Sequence, residues 1–238
     1  MPQALLLQLE ECARAGGFDL LGLVDAHRFD ATQPYELRCA REMSGCGTVI
    51  VVACGGSAPT EWAALRELQP MVQRAGYRAQ FVEPTQGRLR LAALGEAAGL
   101  GTVSPVIHRL LHPMFGPRVI VGGAVLVEGQ PFGPIADKSI AEHFQPCCNC
   151  PRPCLSTCPS VLAESSGHVH VDATRCTRER QRGACANACG VIRNCPVGAG
   201  QALPQVVESE RHRYELARDL AIQGRGVWPA IRRWIGWW

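Results

Sequence analysis

The sequence predicts an α/β domain followed by a cysteine-rich module. Apolar runs of strand length alternate with segments of helical periodicity over residues 1–135, which is the pattern of an α/β domain. From Phe132 onward Pro, Cys and Gly replace this periodicity, as expected where metal sites rather than an apolar core hold a fold together. We therefore divide the chain into an α/β domain (1–135), a cysteine-rich module (136–203), and a C-terminal helix with a Trp-rich tail (204–238).

Periodicity predicts each element of the α/β domain. Residues 3–15 carry apolar side chains at helical spacing and stop at Gly16-Gly17, which predicts a helix with a glycine end. Short apolar or β-branched runs predict strands, and these lie at 18–24, 48–54, 77–83 and 118–127. Three further helices are predicted. The first begins at Thr60 and ends at Gly76, the second spans the Ala-rich stretch 88–98, and the third spans the charged stretch 205–222. The order of the strands in the sheet cannot be read from these patterns.

Composition and charge restrict the class of protein. A chain of 238 residues with 47% apolar and 19% charged residues can bury a core without disulfides. A net charge of +3 is too small to predict a nucleic-acid partner. The N-terminus has no basic stretch typical of a signal peptide, and the apolar run 119–127 is too short to span a bilayer. We therefore expect a cytoplasmic protein, and in that reducing compartment its thirteen cysteines favour metal ligation over disulfides.

The cysteine spacing predicts two [4Fe-4S] clusters. Two runs each end in Cys-Pro, at Cys158-Pro159 and at Cys195-Pro196. In bacterial two-cluster ferredoxins a compact run supplies three thiolates to one cluster, and the cysteine before the proline serves the other cluster. By this rule one cluster is held by Cys147, Cys150, Cys154 and Cys195, and the other by Cys158, Cys176, Cys185 and Cys189. The second module is therefore predicted to be a ferredoxin-like two-cluster iron–sulfur module.

Several alternatives stay open at this point. A zinc site usually presents two tight Cys pairs, which the gaps of this sequence match poorly. The gaps also depart from the usual ferredoxin count, so one of the two clusters could be altered or lost. Either Cys147 or its neighbour Cys148 could be the ligand. His108 and His112 are four residues apart but lack a carboxylate neighbour in sequence, which favours surface or loop histidines over ligands. Buried packing is the expected role of four further cysteines, Cys12, Cys39, Cys46 and Cys54.

The chain resembles the epoxyqueuosine reductase and reductive dehalogenase family of cobalamin-dependent iron–sulfur reductases. The motifs that carry the resemblance are "GGFDLLGLVDA" (16–26), "RLRLAALGEAAGLG" (88–101), "HPMFGPRVIVGGAVLVEG" (112–129) and "VHVDATRC" (169–176), together with the two cysteine runs. The resemblance implies a cobalamin-reductase-like α/β scaffold, cobalamin as a cofactor, and two cubanes that relay electrons to the cobalt.

The sequence departs from this family where the acid motif belongs. Only "GGSAPT" (55–60) connects the strand at 48–54 to the next helix, whereas the family has a longer loop with an Asp-Tyr-His motif. The family's C-terminal helical repeats are replaced by the tail "GRGVWPAIRRWIGWW" (224–238). We therefore expect weak or no cobalamin binding, and we assign no catalytic and no cofactor-binding residues outside the eight cysteines.

Three functional hypotheses follow. The first is an electron-transfer protein or reductase component with two [4Fe-4S] clusters and a redox partner protein. The second is a corrinoid-dependent reductase related to epoxyqueuosine reductase. The third is a zinc-stabilised interaction module. If the protein is an enzyme, it is an iron–sulfur oxidoreductase. The basic and aromatic residues of the tail add a hypothesis of docking to a partner protein or a membrane surface.

Overall fold

The three-dimensional structure is a computed structural model of the chain. It describes residues 3–55, 63–82, 89–131, 133, 143–158, 160–163, 169–172, 175–176, 178–179, 182 and 189–200. The predicted helix at 205–222, the Trp-rich tail and the loop after Gly55 lie outside the described residues.

A four-stranded sheet forms the centre of the first domain. Its strands are β1 (Leu20–Asp25), β2 (Cys46–Gly55), β3 (Ala79–Val82) and β6 (Val119–Glu128). Their order is β1-β2-β6-β3, and every neighbouring pair is antiparallel. The four strands predicted from apolar runs are thus confirmed within a few residues at each end. The pairing direction was not predicted, because each pairing joins segments that are distant in the sequence.

Helices cover both faces of this sheet, because β2 is apolar on both sides. Its residues Val49, Val51 and Ala53 belong to one buried cluster, and Ile50, Val52 and Cys54 belong to another. Successive side chains of a strand point to opposite faces, so the two clusters lie on opposite sides of the sheet. The domain is therefore a mixed α/β structure of three layers, which confirms the predicted class at this level.

Two helices pack on one face. They are α1 (Gln3–Ala15) and α4 (Ala63–Arg74). Helix α1 buries Leu5, Leu9 and Ala13, which are four residues apart and therefore share one side of the helix. It ends at Gly17, which has a φ of 83°, and Phe18 N–H donates to the carbonyl of Ala13. A glycine end of this kind is what the sequence predicted.

The opposite face carries three shorter helices. They are α2 (Ala26–Thr32), α3 (Cys39–Glu42) and α5 (Leu91–Ala97). A single 3₁₀ turn, Tyr35–Leu37, connects α2 to α3. The sequence predicted α5 but none of the elements between residues 26 and 42, where no long apolar periodicity exists. A small antiparallel pair, β4 (Thr102–Val103) with β5 (Leu110–Leu111), frames the loop 104–109 beside the cysteine-rich module.

The cysteine-rich module contains only short elements in its described part. They are α6 (Pro153–Ser156), the hairpin of β7 (Val161–Ala163) and β8 (Val169–Val171), and α7 (Gly190–Arg193). A small apolar cluster joins this module to the first domain, and we call it the junction cluster; its buried members are Val106, Ile107, Leu111, Cys154 and Val191. The domain boundaries and the ferredoxin-like character of the module stay predictions. No helix in the described part of the chain is both long and apolar enough to cross a membrane.

Candidate metal centre

Four cysteines from two separate segments surround one pocket. Cys147, Cys150 and Cys154 come from the first run, and Cys195 comes from the end of the second run. The pocket measures about 340 Å³, counting the space open to solvent. The α/β domain closes it with Ser104, Val106, Ile107 and Leu111. These are the four cysteines that the spacing assigned to one cluster, and we call this site the four-cysteine pocket.

The first run is shaped by an unusual backbone conformation at Arg152. This residue has a φ of 56°, in the left-handed region, and Pro153 then begins α6. Such a conformation costs about 1 kcal/mol or more for a residue with a Cβ atom, so the surrounding structure must hold it. The turn directs the backbone N–H of Arg152 to Cys150 Sγ at 3.3 Å. The strained residue therefore supplies a hydrogen bond to one of the four sulfurs.

Cys195 reaches the pocket because α7 anchors the chain in front of it. This short helix buries Val191 and Ile192, and Val191 packs with Cys154 in the junction cluster. Cys195 itself is only 8% exposed. The backbone N–H of Val197 lies near its thiol and acts to lower the pKa of that thiol. Main chain that is close to Cys195 in sequence therefore contributes to the electrostatic environment of a second sulfur of the pocket.

The thiols lie close enough to influence one another electrostatically. Burial raises the pKa of Cys154 to about 11, and the nearby thiols of Cys195, Cys147 and Cys150 add to the increase. Burial also raises the pKa of Cys195, whereas the Val197 N–H and the Arg118 guanidinium oppose that increase. Ionising Cys154 and Cys195 in this pocket is therefore unfavourable without added positive charge, which a bound metal would supply.

The structure distinguishes Cys147 from Cys148. Cys147 lines the pocket, and its Sγ lies 3.2 Å from the hydroxyl oxygen of Ser104. Cys148 is exposed, and its Sγ donates to the side-chain carbonyl oxygen of Gln145 at 3.4 Å. Of the two cysteines, Cys147 is therefore the one that faces the pocket, and its assignment as a ligand stays a prediction.

A buried arginine that sequence reasoning missed lies behind Cys195. Arg118 is 2% exposed and directly precedes β6. Its Nη1 donates to the carbonyl of Val197 at 2.8 Å, and its Nη2 donates to the carbonyl of Arg193 at 3.2 Å. One feature of the sequence could have indicated this arginine: a charged residue directly precedes the long apolar run of β6.

The second predicted set of cysteines is brought together only in part. Cys158 and Cys189 are half-buried and both pack against the junction cluster. Cys176 is also half-buried, and its N–H donates to the carbonyl of Asp172 at 2.8 Å. Cys185 lies outside the described residues. The assignment of this set to a second cluster therefore stays a prediction.

The remaining residues singled out in the sequence have structural contacts. Cys39, Cys46 and Cys54 are buried in the two apolar clusters, whereas Cys12 is only half-buried. His112 Nδ1 accepts hydrogen bonds from the backbone N–H groups of Met114 and Phe115. Among the described residues, no group of three or more His, Cys, Asp or Glu side chains is arranged to hold a single metal ion. The four thiols are instead distributed around a pocket.

No family model and no curated protein matches the chain. Solved structures do match it. An epoxyqueuosine reductase is 16% identical with a TM-score of 0.58, and the match covers 92% of this chain and 70% of that one. The epoxyqueuosine reductase of Streptococcus thermophilus is 16% identical with a TM-score of 0.57, over 84% of this chain and 67% of that one. A catabolic reductive dehalogenase is 18% identical with a TM-score of 0.54, over 95% of this chain and 36% of that one.

These likenesses establish the fold. The chain has the fold of epoxyqueuosine reductases and reductive dehalogenases, which are reductases, and the resemblance inferred from the sequence motifs is confirmed at this level. The chain corresponds to about a third of the dehalogenase's length. Function depends on the chemistry of the site rather than on the fold, and in this chain that site is the four-cysteine pocket.

Proposed function

We propose that this protein is an iron–sulfur electron-transfer protein or reductase component that carries two [4Fe-4S] clusters. The observation that supports the proposal most directly is the convergence of Cys147, Cys150, Cys154 and Cys195 on one pocket. A cubane needs four thiolates, one at each iron, so its ligands must be distributed around a volume rather than meet at a point. A compact run that supplies three ligands, with the fourth from a distant segment, meets this requirement.

The groups around the pocket suit a cluster with anionic sulfur. The main-chain N–H of Arg152 donates to the sulfur of Cys150, and the N–H of Val197 acts to lower the pKa of Cys195. Hydrogen bonds to cluster sulfurs are a recognised means by which proteins stabilise iron–sulfur sites. The guanidinium of Arg118 donates to the carbonyls on both sides of Cys195, and its Nε is buried without a hydrogen-bond partner among the described residues, so positive charge lies beside the Cys195 thiol. The donor set therefore fits the proposed cluster.

The chain's own residues bind, shield and orient the site. Val106, Ile107 and Leu111 form apolar walls and keep water from the inner side of the pocket. When bound, a cluster supplies transfer of single electrons without a proton. We propose that Cys158, Cys176, Cys185 and Cys189 hold the second cluster. The packing of Cys158 and Cys189 against the junction cluster, which also contains Cys154, would place that cluster close to the first.

We also propose that the protein has a redox partner protein and that nucleic acid is not among its partners. Its proposed location is the cytoplasm. This location suits the eight proposed cluster ligands, because a reducing compartment keeps thiols available to bind metal. The Trp-rich tail is proposed as a docking segment for a partner protein or a membrane surface. Its basic and aromatic residues support this role.

A corrinoid-dependent reductase is the second candidate. The fold favours it, because one matching structure is described as suggesting a mechanism for B12-dependent dehalogenation. The short stretch 55–60 argues against it, because that stretch lacks the family's acid motif. Titration of the protein with cob(II)alamin separates the two candidates. We expect little or no spectral change, whereas a tight stoichiometric shift to a base-off form would favour the reductase.

Metal and corrinoid analysis of anaerobically purified protein tests the proposal as a whole. We expect brown protein that contains iron and acid-labile sulfide in equal amounts, with no corrinoid. A colourless protein that contains zinc would instead support the third hypothesis, a zinc-stabilised interaction module, and would end both redox candidates.

A further inference from the structure

Arg118 holds the segment that carries Cys195 from both sides. Its two terminal nitrogens donate to the carbonyls of Arg193 and Val197, at 3.2 and 2.8 Å. These two residues are each two positions from Cys195, one before it and one after it. Arg118 itself belongs to the α/β domain, directly in front of β6. One side chain therefore fixes the fourth cysteine of the pocket to the first domain.

The charge of Arg118 has no carboxylate partner among the described residues. The residue is 2% exposed, and its Nε has no hydrogen-bond partner in the part of the chain that the structure describes. Burying a cation without an anion is strongly unfavourable. The ionisable group that lies beside it is the thiol of Cys195, which becomes anionic when it binds a metal. An arginine in this position therefore calls for a negatively charged occupant of the four-cysteine pocket.

We propose that Arg118 is the residue that sets the reduction potential of the cluster in the four-cysteine pocket, and that it also positions Cys195. This inference rests on the proposed function. Reduction adds one electron, taken from a one-electron donor, to a cluster that already carries a charge of about −2 with its four thiolates. The product is more negative. A buried cation therefore stabilises the reduced form more than the oxidised form, and raises the potential.

The chain offers variants that separate charge from geometry. Arg118→Gln removes the charge and keeps a hydrogen-bond donor. Arg118→Lys keeps the charge but cannot donate to two carbonyls in the same planar arrangement. Arg78→Gln is a matched surface control, because Arg78 pairs with Glu128 at the end of β6 that is remote from Arg118. At about 3.3 Å per residue, the length of β6 separates the two arginines by roughly 30 Å.

The test is a redox titration followed by EPR on anaerobically reconstituted full-length protein. The relevant signal is the one that the Cys195→Ser substitution removes. We expect its midpoint to move to a more negative potential in Arg118→Gln, to stay near the wild-type value in Arg118→Lys, and to be unchanged in Arg78→Gln. Iron retention after gel filtration should fall in both Arg118 variants, because each loses a bond to the Cys195 segment.

Equal midpoints in wild-type protein and Arg118→Gln would overturn the inference. Equal negative shifts in Arg118→Gln and Arg118→Lys would overturn it too, because geometry rather than charge would then set the potential. If Arg118→Gln assembles no cluster, the Arg118→Lys protein provides the test. A cluster in Arg118→Lys with the wild-type midpoint would support the role of the charge. A folded Arg118→Lys protein without a cluster would refute that role. Wild-type protein without iron would instead refute the proposed function, and the role of Arg118 with it.

Discussion

The hydroxyl of Ser104 donates its hydrogen to the thiol of Cys147. The two atoms are 3.2 Å apart, and distance alone does not say which is the donor. The Ser104 oxygen also accepts the backbone N–H groups of Val106 and Ile107, both at 3.2 Å. A hydroxyl has two lone pairs and one hydrogen. Since both lone pairs are in use, the hydrogen is left for the sulfur. Ser104 therefore turns the loop 104–109 and supplies a hydrogen bond to the Cys147 sulfur at the same time.

Replacement of Ser104 should affect both the fold and the cluster. In Ser104→Ala the buried N–H groups of Val106 and Ile107 lose their acceptor, so the free energy of unfolding of the iron-free protein should fall by roughly 1–3 kcal/mol. The loss of a hydrogen bond to sulfur should also make the midpoint potential more negative. Chemical denaturation and redox titration measure the two effects. Ser104→Thr keeps the hydroxyl and serves as the control. A Ser104→Ala protein that matches the wild type in both measurements would contradict the assigned hydrogen bonds.

Cys147 and Cys148 should respond differently to the same substitution. Cys147 lines the pocket, whereas Cys148 is exposed and contacts Gln145. Cys147→Ser should therefore lower the iron content to about half of the wild-type value, since one cluster of two loses a ligand. Cys148→Ser should leave the iron content and the EPR spectrum unchanged. The reverse result would show that the chain shifts by one residue when it binds the cluster.

Gly116 should be intolerant of substitution because it packs against the Cys195 segment. Its φ is 56°, and a Cβ atom there would collide with the carbonyl oxygen of Val197. We expect Gly116→Ala to cost roughly 2–4 kcal/mol of stability and to lower iron loading, since Val197 must move and Cys195 moves with it. Gly76→Ala is the matched control, because Gly76 has a φ of 90° with open space around it, and it should cost only about 1 kcal/mol of backbone strain. Similar losses in both variants would mean that the contact with Val197 has no role.

Stability should decrease in mild acid through His112. Burial lowers the pKa of its imidazole, and Nδ1 accepts the N–H groups of Met114 and Phe115 only when it is unprotonated. A base whose pKa is lower in the folded state binds fewer protons there than in the unfolded chain. Its stabilisation is therefore complete above a pH of about 6.5 and is lost as the pH falls through the folded-state pKa. Denaturation of iron-free protein across this range should show a smaller decrease in His112→Asn, whose side-chain oxygen accepts the same N–H groups without titrating. An equal decrease in both proteins would assign the effect to other groups.

Local pattern was sufficient to predict most elements of the first domain. The helix at 3–15 and the four strands were predicted because burial repeats with the period of each element, as in the alternating residues of β2. The antiparallel order was not predictable, because β1, β2 and β6 pair across long stretches of chain. The residues between 26 and 42 were missed because their helices are only one or two turns long.

The candidate site, like the fold, was predictable from the sequence only in part. The grouping of Cys195 with Cys147, Cys150 and Cys154 was predicted, because the spacing of the cysteines can be read directly from the sequence. Ser104 and Arg118 were missed, because their roles arise from contacts that only the fold creates. Ser104 and Cys147 are 43 residues apart, and Arg118 and Val197 are 79 residues apart. Which of Cys147 and Cys148 faces the pocket likewise became known only from the position of each side chain.

The presence of two clusters with crossed ligands can be measured by the iron content and EPR spectra of Cys195→Ser and Cys158→Ser, compared with wild-type protein. We expect roughly eight irons per chain in the wild type and about four in each variant, or a three-iron remnant beside one intact cubane. A different signal should survive in each variant, because each cysteine serves the cluster whose other ligands lie mainly in the opposite run. If both substitutions removed the same signal, or if reconstituted wild-type protein held only about four irons, the assignment of two clusters with crossed ligands would be wrong.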